Sequence, residues 1–501
     1  MLCEIMPRST VKSFRSPRSK TRHRRHAFSE RTAAGACRYA LAAALLICAA
    51  FQPTDAVAEP GASSQSPDVV ATAPAGSALR YDAEYPVIAY ADKPSHNAIA
   101  RLQARLERGE LRLKFQPPRG YLDSVLSALG IDPSSQTLVY SKTSLQLDLI
   151  RAATPRAIYF DDNTYVAWIP GTAFLEIATM DSAMGPVFYT LSNQSPSEVR
   201  IDRQTSRCLT CHDTWGMAGG GVPRFLFLST LVDTNGEALN GKPGDETTDQ
   251  TPIRDRWAGW YVTGRNGNQG HLGNILAEPG EDISLLDSLR RVNIDTLEGL
   301  FDSRPYLTDK SDIVALLIFE HQTYIEGFIT RANFKSRMVL ARNGEDASGA
   351  SAWVSLPPNV QKPLKAMLEP LVRAMLFVDA ATVTSRISSS SGYDTWFQSQ
   401  GPRDPKGRSL RELDLRTRIF KRPLSYLVYS ESFDGLPPCA KEYVYTRLAD
   451  ILSGRDQSPT FSHLSTDERR DLLEILTATK PPFASVARER SAVCEHGSCS
   501  G

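Results

Sequence analysis

Several things are missing from this chain of 501 residues, and each absence removes a class of function. No apolar run is long enough to cross a bilayer: the longest, Tyr39 to Phe51, has about thirteen residues where a span needs about twenty. There is no basic stripe. Residues 1–58 hold ten of the 57 Lys and Arg but only three of the 56 Asp and Glu, so the remainder carries 47 basic against 53 acidic side chains. A mildly acidic body of that kind is a poor binder of nucleic acid. The sequence also shows no internal repeat, phosphate-binding Gly loop, metal-protease motif or Ser/His/Asp arrangement. Only eight cysteines are present, and no second Cys-x-x-Cys pair follows the first, as a paired zinc site would require.

What is present begins with an address. Ten Lys and Arg precede the short apolar segment, and Ala56-Val57-Ala58 then offers the small-x-small pattern of a signal peptidase site, so 1–58 reads as a secretory signal with a long basic leader. An Arg- and Ser-rich organelle transit peptide, a start codon downstream of Met1 and a twin-arginine signal at Arg24-Arg25 are the alternatives. The apolar residues expected directly after that Arg pair are absent. Residues 59–95, rich in Pro, Ala, Ser and Gly, read as a flexible linker. The expected location is the periplasm, or another compartment reached by export.

One stretch specifies a chemistry, Cys208-Leu209-Thr210-Cys211-His212. Thiols three positions apart can add across the two vinyl groups of one porphyrin, and the following imidazole is then held under the iron. The segment therefore predicts one covalent haem c, attached through Cys208 and Cys211 with His212 as proximal iron ligand. A redox or zinc Cys-x-x-Cys is the competing reading. Export supports the first, because haem c is assembled outside the cytoplasm.

With 41% apolar residues the chain can bury a large core. Helical spacing from His96 to Leu113 gives way to short strand-like runs: Leu138-Val-Tyr, Ala157–Phe160, Tyr165–Ile169, Phe174–Ile177 and Val187–Leu191. Asp161-Asp162-Asn163 between the second and third is turn chemistry and predicts a hairpin. Further strand-like runs follow the motif, at Phe225–Val232 and Arg256–Gly264. Beyond them Ser311–Arg331, Lys362–Phe377, Pro438–Leu452 stopped by Gly454, and Ser465-x-x-Glu468 opening Leu472–Leu476 are helical. The expected fold class is α+β: a mixed, β-rich haem-bearing region over 96–300, a mainly helical lobe over 301–492 and a tail at 493–501, not a simple small cytochrome c fold.

Phe160-Asp-Asp-Asn-Thr-Tyr-Val-Ala-Trp168, Val187-Phe-Tyr-Thr-Leu191, the Cys208–His212 motif, Arg256-Trp-Ala-Gly-Trp-Tyr-Val-Thr-Gly264, Glu320-His-Gln-Thr323, Gly401-Pro-Arg-Asp404 and Arg411-Glu-Leu-Asp-Leu415 resemble segments of large exported bacterial proteins described as cytochrome c domain-containing. The resemblance implies one covalent haem and an extracytoplasmic location, and no particular reaction.

The sixth iron position then decides between functions: two strong ligands suit electron transfer, an open site suits catalysis. His271, in the loop Gly270–Asn274, and His321, inward-facing on its helix with Ile313, Leu317, Tyr324 and Phe328 by three-and-four spacing, are the candidate distal ligands. Met217 and Met338 are the soft alternatives, and Arg254 and Arg256 are candidate partners for propionates or peroxide. Cys439, Cys494 and Cys499 are expected to contain one disulfide, and His496 between the last two invites a metal reading. Electron transfer, to a redox partner protein or a small-molecule oxidant, is the first expectation. A peroxidase or oxygenase is the alternative, because roughly 440 residues are far more than a carrier of about a hundred needs. A haem-based sensor is the third.

Overall fold

The computed structural model describes residues 82–194, 199–213, 221–239, 244–278, 288–289 and 291–495. The proposed signal, most of the linker, Met217, His496, Cys499 and the side chain of Cys494 lie outside them. The first helix, α1 (Ala98–Glu107), is capped by Asn97, whose side chain accepts the Ala100 N–H at 3.0 Å. It ends six residues before the predicted limit because Gly109 takes a left-handed turn at φ 70°. A short α2 (Leu122–Leu129) follows.

Seven strands then build one antiparallel sheet: β1 (Thr137–Val139), β2 (Arg156–Phe160), β3 (Thr164–Trp168), β4 (Phe174–Asp181), β5 (Gly185–Ser192), β6 (Ile201–Gln204) and β9 (Trp260–Tyr261). Their order is β6-β5-β4-β3-β2-β1-β9. The expected β2–β3 hairpin is present. Asp161 Oδ1 accepts the N–H groups of Asn163 and Thr164 at 2.9 and 2.7 Å, which closes the turn with Phe160 opposite Tyr165. Between β6 and β9 lie the single turn α3 (Leu209–His212) and a separate two-stranded ribbon, β7 (Leu228–Ser229) with β8 (Asp245–Glu246).

Because side chains alternate across a strand, the register sorts the sheet into two faces. The row Tyr159, Val166, Ile177 and Tyr189 points to one side, where it packs with Ile99, Leu102, Leu122 and Val125 of α1 and α2. The rows Phe160, Tyr165, Ala178, Phe188 and Ile158, Ala167, Glu176, Thr190 point to the other, toward α4 (Ile313–Arg342). Both faces are buried, which explains why these strands read as nearly continuous apolar runs.

The helix α4 is 30 residues long, and Ile313 to Thr323 are all buried. Behind it stand α5 (Pro358–Met375), α6 (Tyr393–Ser399), the one-turn α7 (Glu431–Asp434), α8 (Pro438–Leu452), α9 (Thr466–Thr479) and α10 (Pro481–Glu495). The capping box of Ser465 and Glu468 opens α9, and Gly454 stops α8, both as expected. Pro481, expected only as a break, also begins α10, since proline fits the first turn of a helix. The architecture is α+β. The apolar core on each face of the sheet crosses residue 300: Phe334 and Met338 of α4 share the cluster of α1 and α2, while Ile158 and Phe160 share that of α5 and α8. Among the described residues no helix is long and apolar enough to cross a membrane.

Asp312 caps α4. Its Oδ1 accepts the Val314 and Ala315 N–H groups at 2.8 and 3.1 Å, and its Oδ2 accepts from Ser389 Oγ (2.7 Å) and from the N–H groups of Ser390 (2.6 Å) and Ser391 (2.9 Å). Asp312→Ala leaves these buried donors without a partner and should lower the unfolding free energy by about 3 kcal/mol. Urea denaturation beside Asp312→Asn, which keeps one acceptor, reads the difference.

Candidate functional site

In α3 the spacing of Cys208 and Cys211 acquires its geometric meaning. The Cys211 and His212 N–H groups both donate to the Cys208 carbonyl, at 3.2 and 3.0 Å, so this is a helical turn in which positions three apart project to the same side. Cys208 is half-buried and Cys211 exposed. Burial pushes the Cys208 thiol up to about 12, the opposite of the lowered value a reactive redox cysteine shows. Among the described residues no three His, Cys, Asp or Glu side chains gather as a bare metal ion would need.

His212 is held by a reciprocal tie to the strand-like segment that follows. Its Nδ1 lies 2.8 Å from the Arg224 carbonyl, and the Arg224 N–H donates to the His212 carbonyl at 3.0 Å. A carbonyl only accepts, so Nδ1 carries the proton and the Nε2 lone pair stays free. Burial lowers the His212 pKa, which favours the same neutral imidazole. The ring rests on Phe188 of β5 at 4.6 Å between centroids.

Both cysteines and His212 line a cavity of about 510 Å³, a size typical of small-molecule and cofactor pockets. Its floor is the sheet face, where Ala167 and Ala178 leave room that larger side chains would fill. Its apolar walls are Phe188, Phe225, Phe319 of α4 and Trp260 of β9. At one end Glu176 Oε1 accepts from Ser144 Oγ (2.7 Å) and the Leu145 N–H (2.9 Å), while Arg156 lies beside it. A second depression, of about 480 Å³ around Gln398, Arg403 and Lys421, has no cysteine or histidine in its described lining.

The two candidate distal histidines do not line this cavity. His271 is buried elsewhere, its Nδ1 accepting the Gly273 N–H at 3.1 Å and its ring edge-on to Trp257. His321 does point inward, but toward the helical lobe. Its Nδ1 meets Asp249 Oδ2 at 2.8 Å and its Nε2 meets Ser425 Oγ at 2.9 Å, so both ring nitrogens are engaged. Met338 belongs to the core on the opposite face of the sheet. Arg254 is exposed beside Asp255, and Arg256 is buried against Glu320 at 2.6 Å.

Two groupings escaped the sequence reading. Asp249, His321 and Ser425 form a Ser/His/Asp arrangement, yet all three are buried and none lines the cavity, so it serves as a polar pin between segments 72 and 104 residues from His321. Arg156 and Glu176 are charged members of the cavity, whose lining also includes Lys142, Arg207 and Glu237. Their signal was available, since a charged residue two positions before Ile158 shares that strand's cavity face. Compared with models of known families, with curated proteins and with solved structures, the chain matches none.

Burial takes the His271 pKa from 6.5 down to about 4, so the folded chain keeps this imidazole neutral where the unfolded chain takes up a proton. Its stabilising contribution is therefore complete above pH 6.5 and is lost as the pH falls from there toward 4, by roughly 3 kcal/mol. Urea unfolding from pH 7.5 to 4.5 should show wild type losing that much more stability than His271→Gln, and parallel profiles would refute the assignment. His321→Ala, which strands Asp249 and Ser425, should cost about 3 kcal/mol at neutral pH in the same assay.

Proposed function

We propose that the chain is an exported monohaem c-type protein, with haem joined to Cys208 and Cys211 and its iron held by His212 Nε2. The observation that carries the reading is the His212 tautomer, locked by the Arg224 carbonyl, on a residue that lines a largely apolar cavity together with both thiols. Bound there, haem would supply one-electron exchange and a coordination position open to a small molecule. The chain does the rest. Ala167 and Ala178 make room for a flat ring, Phe188, Phe225 and Phe319 keep water from it, and Arg224 holds the Nδ1 proton in place. The resemblance to exported cytochrome c domain-containing proteins points to the same cofactor and compartment.

Apart from His212, the described lining contains no histidine or methionine, and both candidate distal histidines are committed elsewhere. This favours a haem that takes an external ligand in its sixth position, an oxidoreductase of peroxidase or oxygenase type, over a carrier with two strong protein ligands. The carrier reading keeps one observation of its own. Cys211 is exposed, so one thioether edge would face solvent, where a redox partner protein can approach.

Protein matured with a cytochrome c assembly system should contain one haem per chain by pyridine haemochrome, and none in the Cys208→Ala, Cys211→Ala double variant. Carbon monoxide on the reduced form and peroxide on the oxidised form should each shift the Soret band. A low-spin spectrum that neither reagent moves returns the assignment to electron transfer, and wild-type protein without covalent haem overturns it.

A further inference from the structure

The cavity is graded along its strands. Phe160, Tyr165, Ala178 and Phe188 share one cross-strand row, of which Tyr165, Ala178 and Phe188 line the cavity and Phe188 meets the His212 ring. One pair of residues further along, about 7 Å, comes the row Ile158, Ala167, Glu176 and Thr190. Another step along β2 reaches Arg156, and the segment following β1 adds Lys142 to the same end of the lining.

Of these two cations Arg156 is incompletely matched, while Lys142 is ion-paired at the rim of the cavity. The Arg156 side chain is 13% exposed, and its Nη1 donates to the Thr143 carbonyl at 2.7 Å but reaches Glu176 Oε2 only at 3.4 Å. The Glu176 carboxylate has its closer partners in Ser144 and Leu145. Arg156 Nε is buried with no partner. Lys142 pairs with Glu237, which is itself largely exposed. A guanidinium removed from water with one long contact to a carboxylate and a spare N–H is suited to a second anion, and its planar fork matches a carboxylate. An occupant that is flat and apolar in the middle and carboxylated along one edge fits this gradient.

We propose that Arg156 and Lys142 form the carboxylate-binding end of the cavity, which orients its occupant with the acidic edge toward the segment between β1 and β2. The inference deepens the haem reading and rests on it. Two sources supply the same chemistry: the propionates of a bound porphyrin, or a free small carboxylate lying beside it.

Arg156→Gln, Lys142→Gln and Arg156→Lys, matured with haem, separate the cases. Pyridine haemochrome reports whether haem is attached, independently of what Arg156 does. With propionates at this end, the two Gln variants keep one haem per chain while the midpoint potential falls. The pH at which that potential steps rises by about one unit, because a carboxylate deprived of a neighbouring cation ionises later. Arg156→Lys should restore most of both shifts. With a free carboxylate instead, the potential and its pH profile stay as in wild type, and succinate gives a saturable Soret shift in wild type that the Gln variants lose. Should Arg156→Gln fail to fold by circular dichroism, Lys142→Gln beside the exposed Glu237 carries the same readouts. Full haem content with an unchanged potential, an unchanged pH profile and no response to succinate would overturn the carboxylate site while leaving the haem reading intact. Haem-free wild-type protein would instead remove both.

Discussion

The contact between α4 and one face of the sheet governs the rest of the molecule. Its first three turns are buried all round, and that stretch includes polar side chains whose desolvation must be offset by partners. Glu320 takes Arg256, and His321 takes Asp249 and Ser425. Gln322 donates to the Asp161 carbonyl and the Tyr165 oxygen, each at 2.7 Å, and accepts from the Tyr426 hydroxyl at 2.7 Å. One turn below, Glu326 accepts from the Tyr165 hydroxyl, with burial holding its pKa well above the usual carboxylate range. Consecutive residues on a helix are about 100° apart, so these bonds reach different elements: the loop before β9, the β2–β3 hairpin and the helical lobe. A rotation of α4 by one residue would break all of them together. Such a network fixes the one orientation that also places Phe319 against Phe160, Tyr165 and Phe227, and hence in the cavity wall.

This explains where local reading succeeded. Cys208–His212 was legible as a unit because the bonds that close its single helical turn lie within five residues. The β2–β3 hairpin was legible because Asp161 satisfies its own turn, and the α9 cap because Ser465 and Glu468 bond each other. For α4, three-and-four spacing chose Ile313, Leu317, His321, Tyr324 and Phe328 as the inward face. The first three are buried as read, but Tyr324 and Phe328 are only half-buried, and Ala315, Glu320 and Gln322 on other sides are fully enclosed. A helix covered on every side has no single apolar stripe to find. That His321 points inward was correct. Which inside it points to depended on Asp249 and Ser425, and nothing near it in the sequence names them.

The same limit applies to the cavity. His212 is oriented by Arg224, twelve positions away, and by Phe188 from the preceding hairpin, while Glu176 of β4 and Arg156 of β2 meet across the single strand β3 that lies between them. Export, haem and the proposed reaction are inferences from the motif and the chemistry of this cavity. The α+β arrangement of sheet and helices is a matter of geometry alone.

Register ties the fold to the site. Ala167 lies opposite Glu176 and Ala178 opposite Tyr165, and these small side chains set the depth of the floor. A slip of one residue between β3 and β4 would turn Ile177 into the cavity, bury Glu176 in the apolar core of α1 and α2, and move Arg156 and Glu176 to opposite faces of the sheet. Both faces resist such a slip, since one is packed with Tyr159, Val166, Ile177 and Tyr189 and the other is locked by Tyr165 to Glu326 and Gln322. The eight paired residues of β4 and β5 extend that constraint to Phe188 beneath His212. Cavity volume, the aromatic row and the charged end thus follow from one register, and the sheet that supports the core also determines what the space beside Cys208 and Cys211 can hold.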